Sequence, residues 1–382
     1  MSAARTITGR DPATGEGIAV TIADGRITFV APAPEPGELW LSAGLVDLQV
    51  NGYAGLDLNG ATLDPSTVIA LGEHLARAGV TSFAPTLITA SEAAIIAGLR
   101  AIAAAREQSP RLAAMVPFVH VEGPSVSPED GPRGAHPAAH VRAPSLDEFR
   151  RWQAAADGLV GLVTLSPEWP EAMPYIAALA GEGVLVSIGH TAATPDQVHA
   201  AAAAGARLST HLGNGVSALL PRHPNAIWAQ LADDRLTASF IADGHHLPAD
   251  TLKAMLRAKA LARAILVSDA AALGGMPAGR YASPIGGDVE VGADGRLGIA
   301  GTPYLAGAGH LLSQNVATLV NGVGLTLAEA LRLATCNPGA FAGFRGTLAV
   351  GARADLIRFR FAPGDRALAV TDMLIAGEEI DR

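Results

Sequence analysis

Residues 44–52 read GLVDLQVNG, an apolar run that ends in the amide pair Gln49 and Asn51. Continuous apolar runs, rather than alternating ones, are what parallel strands buried on both faces show. Residues 45–50 form the first of eight such runs; the others are 80–87, 115–122, 160–165, 184–188, 207–211, 237–242 and 265–269. Helical patterns with readable caps separate most of them. Ser145 with Glu148 and Thr326 with Glu329 read as capping boxes, and Thr194-Pro195 starts a helix that Gly205 stops. Eight strand–helix repeats predict an α/β chain folded as a (β/α)8 TIM-like barrel. The competing fold is a doubly wound open sheet. Neither a Gly-rich dinucleotide fingerprint after the first strand nor a GxxxxGK[ST] loop accompanies it here.

Outside these repeats the chain changes character. The first forty residues and the last thirty read as short strands and turns, with Asp24-Gly25 as a hairpin signal. Neither end can build a core alone. The simplest arrangement pairs them into a small β-sandwich domain of residues 1–42 plus 350–382, with the barrel occupying 43–349. A further hairpin-like segment, GGDVEVGADGRLGIAG at 286–301, would join that domain or lie over the site.

Composition narrows the function classes. The net charge of −9 argues against general nucleic-acid binding. No run of 18 uncharged apolar residues suggests a membrane span, and MSAARTITGRDPATG has no apolar signal core. A single cysteine, Cys336, excludes an internal disulfide, fits a reducing cytoplasm and reads as a buried apolar filler. The two lysines, Lys253 and Lys259, share one predicted helix. Neither sits at a strand end, where a carboxylated lysine bridges two metals in some barrel hydrolases.

Catalytic groups of such barrels lie at the C-terminal ends of the strands. There this chain carries Glu122 in VHVEGP, His190 in SIGHT, His211 in STHLGN and Asp269 in VSDA. One carboxylate and two imidazoles suit Zn²⁺ with a fourth position for water, whose pKa the ion lowers towards about 7. Fe²⁺, Mn²⁺ or Co²⁺ also suit the set. Asp269 is placed to take the water's proton and pass it to a leaving group. Metal hydrolases of this kind carry His-x-His after the first strand; Gln49-x-Asn51 replaces that pair, which predicts one divalent ion per subunit.

The motif series DLQVNG, PTLIT, HVEGP, GAH, SIGHT, THLGN, IADGHH, SDA, NPG and GTLAVGARADL resembles the N-acetylglucosamine-6-phosphate deacetylase family of the amidohydrolase superfamily over nearly the whole chain. The resemblance implies a barrel plus a small β domain, a homodimer, and hydrolysis of the acetamide to glucosamine 6-phosphate and acetate. It implies Glu122, His190 and His211 as metal ligands and Asp269 as acid/base. Ala135, His136, Asn214, Gly215, Arg222 and His246 match substrate contacts, and Ile299, Ala300 and Gly301 match a closing segment. Arg222 would reach the neighbouring subunit's substrate. His136 could polarise the amide carbonyl or bind a sugar hydroxyl. The proline-rich loop after Glu122 and Gly213, Gly215 and Val216 depart from the family pattern. These departures leave N-acetylgalactosamine 6-phosphate as an alternative substrate, with another cyclic amidohydrolase as a further one.

Overall fold

The computed structural model describes residues 4–283, 287–302 and 304–380. The ends of the predicted terminal segments, 1–3 and 381–382, and Gly286 of the predicted hairpin lie outside the described residues.

All eight predicted runs form strands of one parallel sheet: Leu45–Val50, Val80–Ile88, Val119–Glu122, Val160–Leu165, Leu185–Ile188, Leu208–Ser209, Thr237–Phe240 and Ala264–Leu266. They are barrel strands 1 to 8 in chain order. Five are shorter than their apolar runs, strand 5 by one residue and strand 7 by two. The run from 115 begins as the end of a helix, Pro110–Met115, and the sixth and eighth give up ladder pairing before His211 and Asp269. Those two residues lie just beyond the strand ends, with their backbone in the left-handed region.

The seam between strands 8 and 1 closes the barrel. Val50 bridges Ala270, Asp269 N donates to Gln49 O at 2.9 Å, and Asn51 N donates to Ala270 O at 2.9 Å. The buried carboxylate of Asp47 adds a side-chain stitch, accepting from Ser268 N at 3.1 Å. One apolar cluster fills the space between strands and helices, with Phe83, Phe149, Trp152 and Phe240 among its members. A second, with Val46, Leu48, Leu162, Leu208, Ile265 and Val267, fills the barrel itself. Both strand faces are apolar because both are buried. Within the barrel a hydroxyl layer accommodates His120, whose Nε2 lies 2.8 Å from Thr164 Oγ1, itself 2.7 Å from Thr210 Oγ1. His120 therefore belongs to the barrel packing and not to the cavity wall.

Helix starts follow the sequence signals, with one exception. Thr194 and Gln197, and Thr326 and Glu329, form complete capping boxes. At Ser145 only half forms. Its hydroxyl accepts from Glu148 N, while the Glu148 carboxylate pairs with Arg142 instead. A guanidinium outcompetes a backbone N–H for a carboxylate.

The terminal segments make one seven-stranded sheet, in the order Glu378–Glu379, Ala369–Ile375, Leu356–Arg360, Trp40–Ala43, Arg5–Arg10, Gly17–Ala23 and Arg26–Pro32. The sheet curls so that Arg26 bridges Arg353, enclosing a core that includes Ile7, Val20, Leu41 and Leu356. Asp24 and Gly25, with φ of 49° and 73°, make the predicted hairpin turn. The inserted segment joins neither end; Gly279–Ser283, Gly287–Val291 and Leu297–Ile299 form a separate three-stranded sheet. Cys336 is half-exposed at the start of a short helix rather than buried.

Lys259 is fully buried at the end of the helix Ala249–Lys259. Its Nζ donates to the carbonyls of Gln230 and Asp233, both at 2.7 Å, at the C-terminal end of the helix Ala226–Ala232. A cation suits that end of the helix dipole. Lys259→Met removes the donor from two carbonyls and is expected to cost about 2–5 kcal/mol, read as a lower denaturation midpoint in urea. An unchanged midpoint would show that the ammonium is dispensable.

Candidate active site

A cavity of about 420 Å³ opens over the C-terminal ends of the barrel strands. Asn51, Glu122, Ala135, His136, His190, His211, Asn214, Gly215, His246 and Asp269 all line it. These ten come from loops as far apart as strands 1 and 8. Ile299, Ala300 and Gly301 lie off the cavity wall. Ile299 and Ala300 pair instead with Tyr304 O and Asp288 O through their backbone N–H groups, and the following stretch, Tyr304 to Gly307, lines the cavity in their place. Arg222 is exposed in the loop after strand 6 and does not line the cavity of its own chain.

Glu122 is the centre of the cluster. His211 Nε2 lies 3.1 Å and His190 Nε2 3.5 Å from its Oε1, and His136 Nε2 lies 3.9 Å from its Oε2. Glu122, His136 and His190 offer ligand atoms within 4.8 Å of one another. Burial opposes ionisation of Glu122, but hydrogen bonds from His190 and His211 outweigh it and hold the carboxyl well below its usual range. Burial also opposes a charge on His211, yet the bond to Glu122 pushes it upward. His136 moves the other way, down to about 3, through burial and then the neighbouring His190.

The donor set fits a divalent cation. A buried carboxylate faces three imidazole nitrogens with little other hydrogen bonding to balance them. His190 Nδ1 lies 3.0 Å from Pro132 O, the outer contact that fixes a ligating imidazole with Nε2 inward. His211 Nδ1 is buried without a partner, so Nε2 carries this ring's polar contact.

Three of the site residues have strained backbone. His190, His211 and Asp269 have φ of 49°, 30° and 50°, in the left-handed region that side chains beyond glycine rarely adopt. The strain turns each side chain over the barrel mouth. Two glycines make room for them. A Cβ on Gly215, φ +59°, would come within 2.7 Å of His190 Nδ1. One on Gly123, φ +84°, would meet Thr89 Oγ1 at 2.2 Å, the hydroxyl that lies 2.7 Å from His136 Nδ1.

Gln49 and Asn51 hold the two carboxylates. Gln49 Nε2 donates to Glu122 Oε1 at 2.9 Å, and Asn51 Nδ2 donates to Asp269 Oδ1 at 2.7 Å. Burial, and then the charge of Glu122, pushes Asp269 up to about 6. Two further groups escaped sequence reasoning. Glu168 takes Ser127 Oγ at 2.8 Å, Ser166 Oγ at 2.7 Å and Ala192 N at 2.8 Å, tying together the loops that follow Glu122 and His190. Asp243 takes His246 Nδ1 at 2.7 Å. Its signal was the Asp three residues before His in IADGHH.

A barrel with an acid–imidazole cluster and a second carboxylate over its strand ends is the architecture of a metal-dependent hydrolase, and residues 40–380 match the amidohydrolase family. The chain is 34% identical over 365 residues to the N-acetylgalactosamine-6-phosphate deacetylase of Escherichia coli O157:H7, covering 94% of this chain and 93% of that one. It is 34% identical over 353 residues to the N-acetylglucosamine-6-phosphate deacetylase of Bos taurus, with 88% and 82% covered. It superposes with a TM-score of 0.86, at 30% identity and 99% coverage of both chains, on a point mutant of the Mycobacterium smegmatis N-acetyl-D-glucosamine-6-phosphate deacetylase in complex with N-acetyl-D-glucosamine-6-phosphate. The chain belongs to the amidohydrolase family and, within it, to the N-acetylglucosamine-6-phosphate deacetylase family.

Proposed function

We propose that this chain hydrolyses the acetamide of N-acetyl-D-glucosamine 6-phosphate, releasing acetate and D-glucosamine 6-phosphate, as a step of amino-sugar catabolism. The carrying observation is the pairing of the Glu122 cluster with Asp269, held by Asn51 over the same cavity. Glu122, His190 and His211 would hold one divalent ion, with Zn²⁺ favoured by the donor set and Fe²⁺, Mn²⁺ or Co²⁺ able to replace it. Bound there, the ion supplies Lewis-acid polarisation and a more acidic water.

The residues then divide the work. Asp269 takes the proton of the water as its oxygen attacks the amide carbon. It returns that proton to the nitrogen as the C–N bond breaks, so the amine leaves neutral. His136, buried and turned through Nε2 towards the cluster, polarises the carbonyl. Asn214, the Gly215 backbone, Ala135 and His246 position the sugar phosphate. Ile299, Ala300 and Gly301 are the segment that would close over the sugar, next to Tyr304 to Gly307, which line the cavity.

The chain also works as a homodimer in this reading. Arg222 is exposed away from its own cavity, and the neighbouring Leu219 and Trp228 are 91% and 53% exposed. A guanidinium there suits the dianionic phosphate of the partner's substrate. Arg222→Ala is expected to raise KM for the 6-phosphorylated sugar much more than for the unphosphorylated one. Equal effects on both would remove the phosphate assignment. The terminal sheet and barrel are proposed as two domains, 1–42 plus 350–382 and 43–349, and the location as cytoplasmic, supported by the single cysteine. Among the described residues no helix is long and apolar enough to cross a membrane.

The galactosamine epimer is the second reading, favoured by the match to the Escherichia coli protein over 94% of this chain. Acetate release from a panel of N-acetylated amino sugars, with and without 6-phosphate, on metal-quantified protein tests both. Release from N-acetylglucosamine 6-phosphate alone supports the first reading, and preference for the galactosamine ester supports the second. No release from any phosphorylated sugar ends both.

A further inference from the structure

We infer that Asp243 is a positioning residue that presents His246 to the substrate with a fixed ring orientation and its proton on Nδ1. This rests on the deacetylase reading for the role of His246, but the geometry stands by itself. Asp243 lies just beyond barrel strand 7, with its side chain 2% exposed. Every strong hydrogen bond its carboxylate makes is local. Oδ1 accepts the backbone N–H groups of His245 and His246, both at 2.9 Å, and Oδ2 lies 2.7 Å from His246 Nδ1.

One side chain thus shapes the loop and grips the ring the loop carries. Burial opposes ionisation of Asp243, but the bonds from His246 and the two N–H groups outweigh it and hold its carboxyl well below the usual range. An ionised carboxylate only accepts, so Nδ1 must carry the proton that lies between them. Nε2 is then the ring atom left for the cavity, which His246 lines together with Asp269. Without the grip the ring can turn about its side-chain torsions and exchange its proton between nitrogens. A contact that needs one nitrogen at one place is then made only part of the time.

Asp243→Asn separates this role from a structural one. The amide oxygen can still accept both backbone N–H groups and keep the turn. Its NH2 now meets Nδ1 with a donor, which drives the ring proton to Nε2. Reversing a histidine's tautomer through its carboxylate partner is damaging even where the geometry survives.

Three measurements test the inference. Long-range ¹H–¹⁵N spectra are expected to show a proton on His246 Nδ1 in the unaltered protein and on Nε2 in Asp243→Asn. This readout needs no turnover, so it stands or falls apart from the choice of substrate. A ring without a proton on Nδ1 in the unaltered protein would overturn the inference. With N-acetylglucosamine 6-phosphate, Asp243→Asn is expected to lower kcat/KM about 10–100-fold, the range typical of lost outer-layer hydrogen bonds. Metal content and the unfolding midpoint are expected to hold.

The third measurement is a double-mutant cycle. If Asp243 acts through His246, the pair Asp243→Asn with His246→Ala loses no more than His246→Ala alone, and both single variants shift the same kinetic parameter. Multiplied losses, or an Asp243→Asn variant as active as the unaltered protein, would refute the role. Absence of acetate release by the unaltered protein, with the Nδ1 proton observed, would instead fault the substrate.

Discussion

Asp269→Asn is expected to lower kcat by about 10³-fold while leaving metal content and KM close to those of the unaltered protein. Asp269 supplies no ligand to the Glu122 cluster, so the ion should stay. Its Oδ1 accepts from Asn51 Nδ2 at 2.7 Å, and an asparagine oxygen can keep that bond. What would disappear is the basic oxygen that, in the proposed mechanism, takes a proton from water and hands it to the departing nitrogen. The pH profile carries the same signature. Burial and the charge of Glu122 push Asp269 up to about 6, and a cation beside Glu122 opposes that push. The base is therefore ionised at neutral pH, and kcat/KM falls on the acid side as the carboxylate takes up a proton below about pH 6. Asp269→Asn should abolish that acid limb along with the rate. Stopped-flow or coupled acetate assays on metal-quantified protein measure both. A variant with ordinary turnover would remove Asp269 from the mechanism.

The second large effect is expected at Glu122. Glu122→Gln should reduce the bound ion from about one per chain to near none under dialysis, and turnover should fall with it by about 10³-fold or more. The substitution keeps the size and leaves an oxygen to accept from Gln49 Nε2, which lies 2.9 Å from Oε1 in the native arrangement. It deletes the carboxylate charge that faces His136, His190 and His211 together. Two neutral imidazoles beside an amide hold a cation far less well than two beside a carboxylate. Elemental analysis before and after chelation gives the stoichiometry directly. Full metal retention in Glu122→Gln would displace Glu122 as a ligand. Two tightly held ions in the unaltered protein would contradict the one-ion reading of Gln49 and Asn51, whose amides are engaged with carboxylates.

Much of this was legible in the chain. Parallel barrel strands are buried on both faces, so they leave continuous apolar runs, and all eight runs became strands. The residues that end those runs are brought to the barrel mouth by topology, which is why Glu122, His190, His211 and Asp269 could be picked from sequence. Strand ends were less legible. The ladder ends at Ser209 and Leu266, two and three residues before the positive φ of His211 and Asp269, and no side-chain pattern announces that conformation for a histidine or an aspartate. The Ser145 box failed for a similar reason, since Arg142 competes for Glu148 from outside the motif.

Gln49 and Asn51 draw the boundary clearly. Read along the chain, they are a missing pair of histidines, and from that alone the chain reads as a one-metal barrel hydrolase with its acids and imidazoles in strand order. Their partners could not be read there. Gln49 meets Glu122, 73 residues away on the third strand, and Asn51 meets Asp269, 218 residues away across the seam that exists only once the eighth strand closes on the first. The cavity-facing stretch at 304–307 is likewise a product of how loops converge. Periodicity records which faces are buried, because burial acts residue by residue through water. Which polar atom finds which other is settled by distances that only the closed barrel creates.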